Sequence, residues 1–179
     1  MGVDTSAMAD VALNERLLQG NTCFGCGPDN PDGLHIRVFR DGDSTTRLTG
    51  RFSPRPTATG FPHIVHGGLQ FTALDCMAGW VMLVLRSPGA SIPLTVSADM
   101  RFQRAAKIGE ELYLSAEVQG EPAGRREPTL IHTELRNAAG ELYSQAMFKY
   151  VVVPEASFRR LVGIEALPEH YRQFWANSR

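Results

Sequence analysis

One carboxylate stands inside the longest apolar run of this sequence. Residues 66–85 read HGGLQFTALDCMAGWVMLVL, with Asp75 nine positions after His66 and a glycine pair between them. Such residues suit hydrolysis of an acyl bond. A carboxylate can attack a carbonyl or act as the base that activates water. The start of a helix offers unpaired backbone N–H groups and the positive end of a dipole to the oxyanion that forms. Glycine allows close approach to those groups, so Gly67 and Gly68 are candidate donors and Asp75 the candidate acid. Along a helix rising 1.5 Å per residue, Gly68 and Asp75 stand about 10 Å apart. That is too far for both to act on one carbonyl from a single chain. The plainer reading of Asp75 is a buried helix aspartate satisfied by a hydroxyl or a backbone group.

The element that must carry these residues is a buried helix. A membrane span needs about 20 mostly apolar residues, and an ionisable group near its middle is costly. A buried strand would be shorter and richer in β-branched residues. On a helical projection Gly68, Thr72, Asp75 and Gly79 share a stripe about 60° wide, while Leu69, Leu74, Trp80, Met82 and Leu83 lie elsewhere around the cylinder. The small stripe leaves room for a ligand or another backbone. The helix is expected to run to about Arg86 and stop at Ser87-Pro88-Gly89.

Around it the period of the pattern is two. Residues 34–39 and 45–52 read as strands joined by an Asp41-Gly42-Asp43 turn and ended by Pro54 and Pro56. Residues 57–65 read as an ordered loop. Four strands follow, at 93–104, 111–119, 130–136 and 141–153, with short turns that imply an antiparallel meander. A sheet curled around a single apolar helix buries both. Before the sheet, residues 8–18 read as a short helix in a loosely attached lead-in. After it, residues 154–179 read as two short helices broken at Pro168, with Tyr171, Phe174 and Trp175 on one side, docked on the body or on a neighbouring subunit.

Cys23 and Cys26 form a CxxC in a glycine- and proline-rich loop. Structural zinc takes four ligands; no second CxxC exists and Cys76 lies on the helix, so the loop reads as structural, with no metal. A redox CxxC would stand at a helix start after a strand. The 179 residues suit one domain, and 18 basic against 19 acidic side chains give a formal charge of −1. No basic stripe points to nucleic acid. An odd cysteine count and an opening, MGVDTSAMAD, without basic and apolar signal regions predict free thiols and a cytoplasmic protein.

A helix introduced by His-Gly-Gly, an acid nine residues after the histidine, and the order two strands, helix, four strands resemble the hotdog fold. Within it they are similar to the phenylacetate-pathway (PaaI-like) acyl-CoA thioesterases and their mammalian relatives. The resemblance runs from about Cys23 to Val153. It takes in CFGCGPDNPDGL, similar to an extension found in a subset of the family, and FQRAAKIGEEL, similar to the family's Y/F-x-x-P-A-x-x-G-E stretch. It implies an α+β hotdog fold, a six-stranded antiparallel sheet wrapped around one long central helix, with short helical extensions at both ends. The corresponding organisation is a lead-in at 1–22, a hotdog domain at 23–153 and a tail at 154–179.

The implied activity is hydrolysis of an acyl-CoA thioester to free acid and CoA. Coenzyme A is then part of the substrate, no separate cofactor is needed, and neither nucleic acid nor membrane is a partner. The family dimerises, or forms dimers of dimers, so that the acid of one subunit faces the glycine of the other. Carried over, Gly67 is the oxyanion donor, Asp75 the nucleophile or general base, and Thr95, counted back from Phe102, the hydroxyl that orients water. His66 takes a supporting role. His63, Phe71, Thr72 and Arg104 are the candidate substrate contacts, with Trp80 and Met82 as possible tunnel walls. Arg101, Lys107, Arg125 and Arg126 are further candidates for the CoA phosphates. Two departures stand out. Gly60 occupies the position where some relatives carry an asparagine, and Arg104-Ala105 replaces the residue pair ending in proline. The rival reading is a non-catalytic hotdog dimer that binds acyl-CoA or another small ligand.

Overall fold

The structure is a computed structural model, and it describes residues 11–177 apart from 87, 88, 90, 121–123, 125 and 126. Alternating residues form the first hairpin, β1 (Arg37–Arg40) and β2 (Arg47–Phe52), paired antiparallel with Arg37 opposite Arg51. Gly42 takes φ 53° in the connecting turn, the left-handed region that favours glycine. A short 3-10 turn, Pro56–Ala58, leads into a feature absent from the sequence reading. The expected loop at 57–65 is a small hairpin, β3 (Thr59–Phe61) and β4 (Ile64–Val65), turned at Pro62-His63 with His63 at φ 65°.

Helix α2 (Gly67–Val81) follows and continues as a π-helical turn, Met82–Arg86. By length and composition alone Gly67–Arg86 is apolar enough to cross a membrane. Here its Ala73, Leu74, Met77, Ala78, Trp80 and Val81 are buried, and it packs on β2 and on four later strands. Burial of each large side chain among them contributes about 1.5–3 kcal/mol. Gly50 on β2 lets the helix settle this close, because a Cβ there would stand 2.6 Å from Met77 Sδ. The buried amide on this helix, Gln70, is satisfied: its Nε2 donates to Val65 O at 3.3 Å and its Oε1 accepts from Ser144 Oγ at 2.9 Å.

The remaining strands are β5 (Ser91–Phe102), β6 (Leu112–Val118), β7 (Thr129–Arg136) and β8 (Leu142–Pro154). All six long strands form one antiparallel sheet in the order β1-β2-β6-β7-β8-β5. The expected four-strand meander therefore holds only for β6 to β8. β5 crosses to the far edge beside β8, and β2 takes its place next to β6. The crossing is made by residues 103–111, which pass the start of α2 and are tied there. Val65 N–H donates to Ala106 O at 2.9 Å, and Ile108 N–H to His63 O at 3.0 Å. This connection fixes the entry to the helix.

At both ends of the described residues the short helices are docked. In α1 (Leu13–Leu17), Asn14 is buried; its Nδ2 donates to Cys26 O at 2.7 Å and Ile36 O at 2.9 Å, and its Oδ1 accepts from Val38 N–H at 3.0 Å. The loose attachment expected for the lead-in is thus corrected from residue 11 onward, where one amide clamps three backbone groups. The start of the expected 8–18 helix lies outside the described residues. α3 (Glu155–Val162) and α4 (Glu169–Asn177) flank Pro168 as expected. Phe174 and Trp175 are buried, with the Phe174 ring edge-on to Trp80 at 6.3 Å.

Candidate functional site

His66 caps α2. Its Nδ1 accepts the Gly68 N–H at 2.9 Å, and its carbonyl accepts from Leu69 and Gln70. The supporting role expected for His66 has this physical content. Of the two candidate donors, the Gly68 N–H is occupied by the cap. Among the described residues the Gly67 N–H has no acceptor, so Gly67 alone offers a free amide at the positive end of the helix. A Cβ at Gly60 would lie 2.9 Å from His66 Cα. The position is therefore closed to the asparagine that some relatives carry.

Two turns on, Asp75 is held by two hydroxyls. Thr95 Oγ1 and Tyr150 OH each donate to Asp75 Oδ1 at 2.8 Å, and the phenol also lies 2.9 Å from the Asp75 carbonyl oxygen. Thr95 and Tyr150 are register partners on β5 and β8. The pairing shifts between Thr95 and Ser97, which leaves Val96 as a bulge beside the site. Burial, and then the charge of Asp75, push the Tyr150 phenol well above its ordinary value, so it remains a donor. Oδ2 of Asp75 has no partner among the described residues. Tyr150 was not singled out from sequence. The available signal was a tyrosine on the inward face of a strand, whose hydroxyl needs a partner once buried.

Asp75, Thr95 and Tyr150 open on a cavity of about 260 Å³ walled by Trp80, Leu94 and Tyr171. A larger hollow of about 390 Å³ is lined by residues of β1, β2, β6 and β7. Its arginines 47, 51 and 136 pair with Asp41, Glu111 and Glu134. Its one lining acid, Glu134, is paired with Arg136, so the smaller cavity, lined by Asp75, is the candidate site.

The other sequence candidates fall outside this cavity. Thr72 donates to Gly68 O at 3.0 Å and its methyl faces the Gly25 loop. Phe71 packs on Phe148 at 5.4 Å and stays partly exposed, and Met82 is buried in the core. His63 is an exposed turn residue. Arg104 forms an exposed ion pair with Glu141 at 2.7 Å, and Arg101 faces Asp99 at 4.0 Å. Arg125 and Arg126 lie outside the described residues.

The separation of Cys76 from the CxxC is also corrected. The Sγ atoms of Cys23, Cys26 and Cys76 all lie within 4.8 Å of one another, with Cys23 and Cys76 at 3.8 Å. Hydrogen bonds from the Cys26 and Cys76 thiols lower the Cys23 thiol, while Cys26 and Cys76 are raised in turn. On the helical projection Cys76 is one turn beyond Thr72, at the flank of the small stripe, which was the sequence signal for its contact with the loop.

No family model and no curated protein matches this sequence. Solved structures do. A thioesterase from Haemophilus influenzae superposes with a TM-score of 0.62 at 12% identity, over 73% of this chain and 86% of that one. A hypothetical thioesterase from Streptococcus pneumoniae, solved with coenzyme A, gives 0.57 at 17% identity, over 66% and 86%. The Escherichia coli PaaI protein of the phenylacetic acid degradation operon gives 0.56 at 15%, over 67% and 80%.

This chain has the hotdog fold that these structures share. In hotdog terms α2 is the central helix, with the acid on its middle turns and the free amide at its start. The streptococcal protein has also been crystallised as an aspartate-to-alanine and as a threonine-to-alanine variant.

Proposed function

We propose that this protein hydrolyses an acyl-CoA thioester at a site completed by a second copy of itself. The observation that carries the reading is Asp75: one oxygen fixed by Thr95 and Tyr150, the other open, on a cavity in a hotdog fold. The Gly67 N–H, eight residues before it, is about 12 Å away along the helix axis. One carbonyl cannot meet both in one chain, so a partner's Gly67 holds the oxyanion while Asp75 delivers the attack. Asp75 does so by taking a proton from the attacking water and returning it to the CoA sulfur, or by attacking the carbonyl itself to form an acyl anhydride that water cleaves once CoA has left and taken a proton from solvent. In both routes the C–S bond breaks and CoA leaves as its thiol. Coenzyme A belongs to the substrate and no further cofactor enters.

The fold offers the means to dimerise. β5 ends the sheet, so its outer backbone groups face no strand among the described residues. Val96 and Phe102 on it are 57% and 56% exposed, and the Phe102 ring lies against Gly67. Pairing of two β5 edges would bring each Gly67 region towards the partner's helix. Free thiols suit a reducing, cytoplasmic setting, which is part of the proposal.

The test is thiol release from a panel of acyl-CoAs by the wild type and Asp75→Asn. The expected result is turnover that falls about a hundredfold or more in the variant. Equal turnover in both would make Asp75 structural. Binding of CoA esters without turnover in the wild type would mean a ligand-binding dimer instead.

A further inference from the structure

We infer that Cys23, Cys26 and Cys76 form a zinc site that clips the N-terminal loop to the central helix beside Asp75. The geometry fits the ion. A tetrahedral centre with Zn–S bonds of about 2.3 Å has sulfur–sulfur edges of about 3.8 Å. Cys23 and Cys76 already stand at 3.8 Å, and all three sulfurs lie within 4.8 Å. Closing the longer edges requires shifts smaller than a rotamer change.

The surroundings are built to bring sulfur together. A Cβ at Gly25 would stand 2.2 Å from Cys76 Sγ, and one at Gly27 would stand 2.5 Å from Cys23 N. Both glycines are therefore needed for the loop to close on itself and on the helix. Asn21, itself buried, accepts the Cys23 N–H at 3.0 Å and directs its Nδ2 at Cys26 Sγ at 3.9 Å. Donors aimed at sulfur stabilise thiolate ligands and orient them, as an outer shell does around a metal.

The donor set also selects the ion. Three thiolates favour a soft or borderline cation such as zinc over calcium or magnesium. The cavity wall that the three sulfurs share contains no Lys, Arg or His to offset their charge, whereas a divalent cation would. A disulfide would use two of the sulfurs and leave the third without a role. On binding, the thiol protons pass to solvent and the three sulfurs with Zn²⁺ carry a net charge of −1. The fourth position takes a water on the cavity side. This inference does not depend on the thioesterase reading, and its readout is metal content.

The experiment uses the full chain, expressed in zinc-supplied medium and purified under reducing conditions without chelator. Elemental analysis should find close to one zinc per chain in the wild type. Replacement by Co²⁺ should give the near-ultraviolet thiolate-to-metal charge-transfer absorption. Cys23→Ser should lose both while keeping its circular-dichroism spectrum, since Cys23 is only half-buried; Cys76→Ser provides a second check. Zinc below about a tenth of an equivalent, with no Co²⁺ charge transfer in the reduced wild type, would overturn the proposal. So would a Cys23–Cys76 disulfide found by mass spectrometry in the freshly purified protein, or full metal content in both serine variants.

Discussion

Thr95 and Tyr150 face each other across the β5–β8 ladder and hydrogen-bond to the same oxygen of Asp75, each at 2.8 Å. The sheet thereby turns the carboxylate so that Oδ2 is the atom presented to the cavity. Hydrogen bonds to a charged acceptor contribute about 1.5–3 kcal/mol each. Tyr150→Phe and Thr95→Ala should each lower kcat by about tenfold or more, with a smaller change in KM. Because both act on one oxygen, the double variant should lose less than the product of the two single losses. Steady-state kinetics of the four proteins checks this, and full additivity would mean that the hydroxyls act separately.

His66 acts on the site through the backbone. Its ring holds the Gly68 N–H and leaves that of Gly67 free. His66→Ala should cost about 1 kcal/mol of stability, the usual loss of an N-cap. It should reduce kcat less than Asp75→Asn does. His66→Asn keeps a cap acceptor and should recover most of the stability. Denaturant titration alongside kinetics separates the two effects. A loss in His66→Ala as deep as that of Asp75→Asn, with stability unchanged, would instead place the imidazole on the substrate.

Legibility in the sequence followed the range of each interaction. The central helix, its stripe and the six long strands were readable because periodicity and turn residues are local. The β5 crossover was not, since nothing in residues 103–111 announces that they will be held by His63 and Val65. The same distinction runs through the site. Asp75 was legible as an acid in an apolar run, and Thr95 through the family resemblance. Tyr150 and the approach of Cys76 to Cys23 depend on contacts between segments about fifty or more residues apart. The ion pair of Arg104 with Glu141, in the turn between β7 and β8, is likewise a contact that local pattern does not announce.

The N-terminal clamp should matter for stability although it is remote from the acid. Asn14→Ala leaves two carbonyls and one N–H without their partner, at about 1–3 kcal/mol for each group that stays buried and unpaired. Next to it, the Arg37 guanidinium at 2.8 Å holds Glu15 below its usual value of 4.5. A lowered carboxylate stabilises the fold above pH 4.5, and that contribution is lost as pH falls through the folded value. The pair is partly solvated, so Glu15→Gln should flatten the acid limb of the stability curve by under about 1 kcal/mol. Thermal melts between neutral pH and pH 3 measure both.

The composite nature of the site gives the strongest test of the dimer. Gly67 is the first residue of α2, where proline is tolerated because that N–H makes no helical bond. His66, at φ −56° and ψ 132°, already has the backbone that a following proline requires. Gly67→Pro therefore removes the free amide and leaves the helix intact. Gly67→Pro and Asp75→Asn should each be nearly inactive alone. In a mixed dimer, one of the two sites combines the intact Gly67 of one chain with the intact Asp75 of the other. The second site carries both changes. Random reassortment makes half the dimers mixed, so activity should return to about a quarter of wild type on unfolding and refolding the two together. If both groups acted from the same chain, no mixture would recover activity.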